Sequence, residues 1–223
     1  RDGLETWLAN RVDLKTLYYG CDYTHAIDDR LAAMPGVKVA SKEVAPTAAR
    51  LIADGAVVAL YTGAMEYGPR ALGARSILAS PADARINNTL NQRLARSEFM
   101  PFAPVVQVDD ADELFHIQPS MRYAMRFMTI TCRVRDAWCA RIPAVVHVDG
   151  TARPQIIERD LNPLYFDILT EFKTLTGLPA LINTSFNVHE QPIINTPEEC
   201  VAALLDRRVD YVATARAIYQ YCQ

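Results

Sequence analysis

Gly63–Ser76 reads GAMEYGPRALGARS, and these are the residue types of an anion cradle. Arg70 and Arg75 stand five apart, Ser76 follows directly, and Glu66 precedes Arg70 by four. The guanidinium is a planar fork that grips phosphate or carboxylate with two parallel hydrogen bonds. Glycines let backbone N–H groups approach the same ligand. No Gly-x-x-x-x-Gly-Lys-Ser/Thr string occurs, so this is not a Walker P-loop. The same residues would equally suit a surface loop whose arginines make ordinary salt bridges.

Three further polar clusters follow. The first is Arg93 and Arg96 with Glu98, the second His147-Val-Asp149-Gly-Thr-Ala-Arg153, and the third Asn183-Thr-Ser185-Phe-Asn187. Together they supply arginines, hydroxyls and amides, a donor-rich set suited to phosphates and poor in nucleophiles. His147 reads as a core histidine or as a catalytic one. His147 and Asp149 alternate with Val148, which puts them on one face of an expected strand, where they could bond each other or hold magnesium. Asn183 and Asn187 could simply cap their own backbone. Arg93 and Arg96 could form a solvated helix face. No two histidines fall at i, i+4 and no G-x-S-x-G occurs.

The elements that must position these clusters follow from hydrophobic periodicity and turn signals. Helices are expected over Asp22–Met34, Val44–Ala53, Ala82–Leu94, Leu164–Thr176 and Thr196–Leu205, the last opened by Thr196 with Glu199 three residues on. Strands are expected over Val37–Ala40, Ala56–Tyr61, the end of 99–108, Met125–Val134, Pro143–Val148, Leu178–Ile182 and Tyr211–Tyr219. Their interleaving without strict alternation predicts an α/β or α+β sheet with some antiparallel strands. The polar clusters fall at strand ends, where sites of such sheets form. Residues 1–40 are expected as an N-terminal extension with a first helix–strand unit, and 41–223 as one domain.

The bulk numbers narrow the function classes. The 223 residues carry a net charge of −3, which disfavours a general nucleic-acid or membrane-surface binder. Arginines still cluster over 70–96 and 122–141, so a local basic groove is compatible. The five cysteines form no C-x-x-C, which predicts reduced thiols and a cytoplasmic protein. There is no apolar run of about 18 residues, hence no expected membrane span.

The strings GAMEYGPRALGARSILASP, PFAPVV, AVVHVDGTARPQ and INTSFNVHEQPI occur in this order. In this the chain closely resembles the C-terminal domain of the nodulation-type and antibiotic O-carbamoyltransferases. The resemblance implies a YrdC-like fold, an open twisted mixed sheet flanked by helices. It implies a domain that binds ATP with Mg2+ and carbamoyl phosphate and makes carbamoyl-adenylate. An N-terminal actin-like domain with a histidine/aspartate iron site, absent from this chain, would then pass the carbamoyl group to an acceptor hydroxyl. By the same resemblance Arg70, Arg75 and Arg153 would hold phosphates, Ser185 and Asn187 would contact the nucleotide, and Ser76 and Asn183 would donate further hydrogen bonds. Arg70, Arg153 and Ser185 are the expected catalytic groups. Glu66, His147 and Asp149 would lie behind them or near magnesium. Many members carry Lys-x-Arg-Glu and then Phe-Arg-Pro-Phe-Ala-Pro. Here the lysine is missing and Met100 stands at the arginine, so either Arg93 or Arg96 substitutes or the chain binds carbamoyl phosphate differently or more weakly. Two other readings are a nucleotide- or RNA-binding module of the threonylcarbamoyl-adenylate type and a degenerate scaffold.

Overall fold

The apolar run Val58–Tyr61 is buried along its whole length, near the middle of an eight-stranded mixed sheet. A computed structural model of the chain describes residues 3–10, 12–96 and 102–222. Its strands are β1 (Val37–Ser41), β2 (Val58–Tyr61), β3 (Arg75–Ala79), β4 (Ala103–Gln107), β5 (Cys132–Arg133), β6 (Thr151–Ala152), β7 (Gln155–Ile157), β8 (Ala180–Ser185), β9 (Tyr211–Ala213) and β10 (Ile218–Tyr221). The helices are α1 (Leu4–Ala9), α2 (Ile27–Ala32), α3 (Val44–Ala53), α4 (Ile86–Arg93), α5 (Ala111–Leu114), α6 (Arg122–Met125), α7 (Asp136–Cys139), α8 (Pro163–Thr176) and α9 (Pro197–Leu205).

The main sheet runs β1-β10-β9-β2-β3-β8-β4-β7. β2 pairs parallel with β9 and β4 with β7, and the other neighbours are antiparallel. β5 and β6 form a separate pair. β2, β3 and β4 are buried at every position, as strands covered on both faces of a sheet are. Helices α3 and α8 pack against each other, closing Ala48, Ala49 and Ile52 with Ile168, Leu169 and Phe172 into the core. Each large apolar side chain buried there contributes roughly 1.5–3 kcal/mol.

Local chemistry sets the helix ends. Asn162 caps α8 by accepting from Tyr165 N at 3.1 Å, Pro163 opens its first turn, and Gly177 closes it at φ 70°. Thr196 and Glu199 cap α9 reciprocally, with Thr196 N donating to Glu199 Oε2 at 2.7 Å.

Two expected strands take another form. Over Met125–Val134 the chain leaves α6 through a turn, in which Thr129 Oγ1 donates to Ala124 O at 2.9 Å, and only Cys132–Arg133 is strand. Over Pro143–Val148 the proline opens a 3-10 turn, Pro143–Val145, because its ring presets φ and removes a sheet donor. His147 and Asp149 therefore do not share a strand face. They belong to a tight turn in which His147 N donates to Thr151 O at 2.7 Å and Gly150 N to His147 O at 2.9 Å. The expected final strand splits into β9 and β10, because Thr214 N donates to Ala217 O and turns the chain. β3, by contrast, lies inside what reads as loop.

A short strap runs beside the glycine–arginine loop. Tyr67 N donates to Leu17 O at 2.7 Å, Gly20 N to Met65 O at 2.8 Å, and Met65 N to Cys21 O at 2.9 Å. Tyr18 Oη donates to Leu72 O at 2.8 Å. Among the described residues no helix is long and apolar enough to cross a membrane.

Candidate functional site

The loop between β2 and β3 is folded around one carboxylate. Glu66 is 2% exposed, and its Oε1 accepts from Leu72 N at 2.5 Å, Ala74 N at 3.2 Å and Arg75 N at 3.3 Å. These bonds draw the segment after Arg70 back over Glu66 and leave Pro69 and Arg70 exposed at its crest. Gly73 permits the close approach. At φ 117° its position favours glycine, and a Cβ there would stand 2.3 Å from Tyr165 Cδ1.

The two arginines of the loop part company. Arg70 lines a cavity of about 60 Å3 together with Arg96, Phe102, Met128, Arg153 and the β8 residues Asn183, Thr184 and Ser185. Arg75 opens β3 and is 0% exposed. Its Nη1 donates to Thr62 O at 3.1 Å, Gly63 O at 3.3 Å and Ala74 O at 2.9 Å, and its Cζ lies 3.7 Å from the centre of the Tyr61 ring. Arg75 thus holds the loop from beneath and does not line the cavity. Ser76, beside it, is fully buried and paired across the sheet with Ser185.

The remaining candidates separate in the same way. Arg96 Nη2 donates to Thr184 Oγ1 at 2.8 Å, and its Cζ stands 5.0 Å from the Phe102 ring centre. Arg93 turns away and pairs with Asp210 at 2.9 Å. Of the two arginines that could replace a missing cation, Arg96 is the one at the cavity. Glu98, Met100 and Pro101 lie outside the described residues. Ser185 lines the cavity, whereas Asn187 turns its Nδ2 to Gln191 O at 2.6 Å. His147 Nδ1 lies 3.0 Å from Thr151 Oγ1, and Asp149 Oδ1 accepts from Thr151 N and Oγ1, so both stabilise the turn that leads to Arg153.

The electrostatics describe a site short of negative charge. Burial pulls the Arg153 pKa below its usual value, and the neighbouring Arg70 charge adds to the shift. Burial alone lowers that of Arg96. Arg153 Nε is buried with no hydrogen-bond partner. His147 is also pulled down, first by burial and then by Arg153, with Asp149 opposing. Among the described side chains at the cavity there is no carboxylate. An anion entering here would relieve both the repulsion and the unpaired donor.

Residues that sequence reasoning passed over also take part. Gln155, 3% exposed, donates from Nε2 to Leu72 O at 2.8 Å and accepts from Asn183 Nδ2 at 2.7 Å. Thr184 seats Arg96. Both stand within strings already singled out, DGTARPQ and INTSFN, and that was the available signal. A wider groove of about 550 Å3, lined by Asp54, Arg207, Asp210 and Tyr221 among others, lacks such a cluster. Its Asp210 is already committed to Arg93 and Val57 N.

Comparison with known proteins places the chain among relatives. Residues 49–220 match the family described as carbamoyltransferase C-terminus. The nodulation protein NolNO of Sinorhizobium fredii is 39% identical over 207 residues, covering 91% of this chain and 30% of that protein. NolO of Bradyrhizobium diazoefficiens is 40% identical over 171 residues, covering 76% and 31%. The chain thus spans under a third of the length of these curated relatives. Full-length HypF, solved in a phosphate- and nucleotide-bound form, superposes with a TM-score of 0.54 at 19% identity over 77% of this chain and 24% of that one. A P. abyssi Sua5 variant superposes with a TM-score of 0.51 at 10% identity over 76% and 44%. The fold is YrdC-like.

Proposed function

The chain belongs to the carbamoyltransferase C-terminus family, and from that premise we propose that it binds ATP and carbamoyl phosphate and forms carbamoyl-adenylate. The observation that carries this reading is the convergence of Arg70, Arg96 and Arg153 on one cavity whose floor is Asn183, Thr184 and Ser185. The cavity has room for a small polyatomic group. Its size suits the carbamoyl head, and the exposed Arg70 in its lining suits phosphate oxygens.

In the reaction water first cleaves carbamoyl phosphate to carbamate and inorganic phosphate, which leaves, and a carbamate oxygen then attacks the α-phosphorus of ATP. Pyrophosphate leaves as the P–O bond to it breaks. Several phosphate charges must be held in line while this happens, and three arginines in a partly desolvated site do so by position and by charge. Ser185 adds a neutral donor. Magnesium would arrive with ATP, held by the nucleotide's own phosphates, since the described cavity side chains offer no hard oxygen anion. His147 and Asp149 shape the turn before Arg153. Transfer of the carbamoyl group to an acceptor hydroxyl belongs to an actin-like domain of the longer polypeptide, which carries the iron site.

The test is isothermal titration of the chain with carbamoyl phosphate and with Mg-ATP, followed by a pyrophosphate-release assay with both. Binding of both ligands and stoichiometric pyrophosphate are expected, and Arg153→Ala should abolish release. Absence of heat with either ligand, together with no pyrophosphate, sinks the reading.

A further inference from the structure

Asn183 lines the cavity and is expected from sequence as one more donor to phosphate, but its hydrogen bonds use both amide hydrogens elsewhere and leave it only an acceptor to offer. Its Nδ2 donates to Ala71 O at 2.9 Å and to Gln155 Oε1 at 2.7 Å, with Met128 Sδ at 3.6 Å. Both amide hydrogens are thereby used. Its Oδ1 is buried and has no partner, in a side chain 1% exposed on the cavity floor.

The orientation is locked from behind. Turning the Asn183 amide over would set its oxygen against two oxygens. Gln155 cannot turn to accommodate it, because its own Nε2 is committed to Leu72 O at 2.8 Å. Leu72 O also accepts from Tyr18 Oη at 2.8 Å, which holds that carbonyl in place. A chain of hydrogen bonds from the strap to β8 therefore fixes the oxygen as the amide atom of Asn183 that is left unpaired. An acceptor left unpaired in a buried site costs free energy until something donates to it. The arginines around it are donors only and cannot accept from a ligand's N–H groups.

We propose that Asn183 Oδ1 accepts a hydrogen bond from the carbamoyl –NH2 and selects carbamoyl phosphate over acyl phosphates that carry a methyl group there, with Gln155 as its positioning residue. This rests on the reading of the cavity as the carbamoyl phosphate site. The amine and the methyl occupy almost the same volume, so shape distinguishes them poorly. A hydrogen-bonding site does, since the wrong ligand leaves a buried polar atom unpaired.

The experiment is titration of the chain with carbamoyl phosphate, acetyl phosphate and inorganic phosphate, for the wild type, Asn183→Leu and Gln155→Leu. The wild type should bind carbamoyl phosphate about tenfold or more tightly than acetyl phosphate. In both variants that ratio should fall to about one, whatever happens to affinity overall. Gln155→Leu acts without touching the ligand, by freeing the Asn183 amide to turn. If Asn183→Leu does not fold, as judged by circular dichroism, the wild-type ratio and Gln155→Leu decide the matter. Equal affinity of the wild type for the two acyl phosphates overturns the proposal and leaves the anion site standing. A variant that folds and keeps the wild-type ratio also overturns it. Failure of all three phosphates to bind removes the anion site and the proposal together.

Discussion

Arg70→Ala and Arg75→Ala should fail in opposite ways, although the two arginines stand five apart in one motif. Arg75 is fully buried, makes three hydrogen bonds through Nη1 and lies against the Tyr61 ring. Nη1 has two N–H groups to share among three carbonyls, and two charged hydrogen bonds at about 1.5–3 kcal/mol net each sum to about 3–6 kcal/mol. Against this stands the release of a buried cation that makes no ion pair among the described residues, which brings the expected loss to about 3 kcal/mol. The cation–π contact over Tyr61 adds to the loss. For a chain of this size about 3 kcal/mol is a drop of roughly 6–12 °C in Tm. Arg70 is exposed and lines the cavity, so its loss should change stability by no more than about 0.5 kcal/mol while carbamoyl phosphate affinity falls at least tenfold. Urea denaturation followed by circular dichroism reads the first quantity, and isothermal titration reads the second. If Arg70→Ala lowers the urea midpoint as much as Arg75→Ala, or Arg75→Ala keeps the wild-type midpoint, the division of labour between them is wrong.

Glu66→Ala strands three backbone N–H groups beneath the loop and should cost about 3 kcal/mol or more in urea unfolding, whereas Glu66→Gln keeps an acceptor and should lose clearly less. Gly73→Ala adds a methyl 2.3 Å from Tyr165 Cδ1 at φ 117°, so its thermal midpoint should drop by at least about 4 °C, reflecting some 2 kcal/mol of overpacking and strain. His147 has its pKa lowered in the folded chain, by burial first and Arg153 second. The unfolded chain then binds the proton more readily, so His147 contributes stability above its ordinary pKa of about 6.5 that is lost as the pH falls through the folded value. His147→Gln should flatten that part of the stability–pH curve between about pH 7 and 5, and an unchanged slope would contradict the assignment.

Periodicity and capping chemistry made much of the scaffold legible. Val44–Ala53 reads as a helix with the bounds it has, and Thr196, Glu199 and Gly177 mark real helix ends. The expectation failed where neighbours outside the local window decide the geometry. The β-branched stretch before Val134 has strand propensity, but it leaves a helix through a turn closed by Thr129. Pro143 and Asp149 impose turns on a segment whose valines alone suggest a strand. Arg70, Arg96, Arg153, Asn183 and Ser185 were readable as candidates from residue type, and the sheet brings them to one cavity. What no local pattern could separate was Arg70 from Arg75. That distinction depends on β3 beginning at Arg75 between β2 and β8, which turns one guanidinium inward and leaves the other at the crest. The direction in which Asn183 donates was equally hidden, because it is set by Gln155 and Leu72 from distant parts of the chain.

The strand order also governs when the cavity can come into being. β2 and β3 are near neighbours in sequence, but β2 also pairs with β9 and β3 with β8, which join segments about 150 and about 110 residues apart. Closing such long loops is slow and precedes the contacts that compensate for it. Arg70 and Arg153, which repel each other, are therefore brought together only once β8 has inserted and the sheet is nearly complete. A chain interrupted before β8 would hold none of the floor and could not be rescued by ligand, whereas one that has closed the sheet gains its ligand as a last clamp on the finished fold. Anion binding then acts on the rate of unfolding more than on the rate of folding.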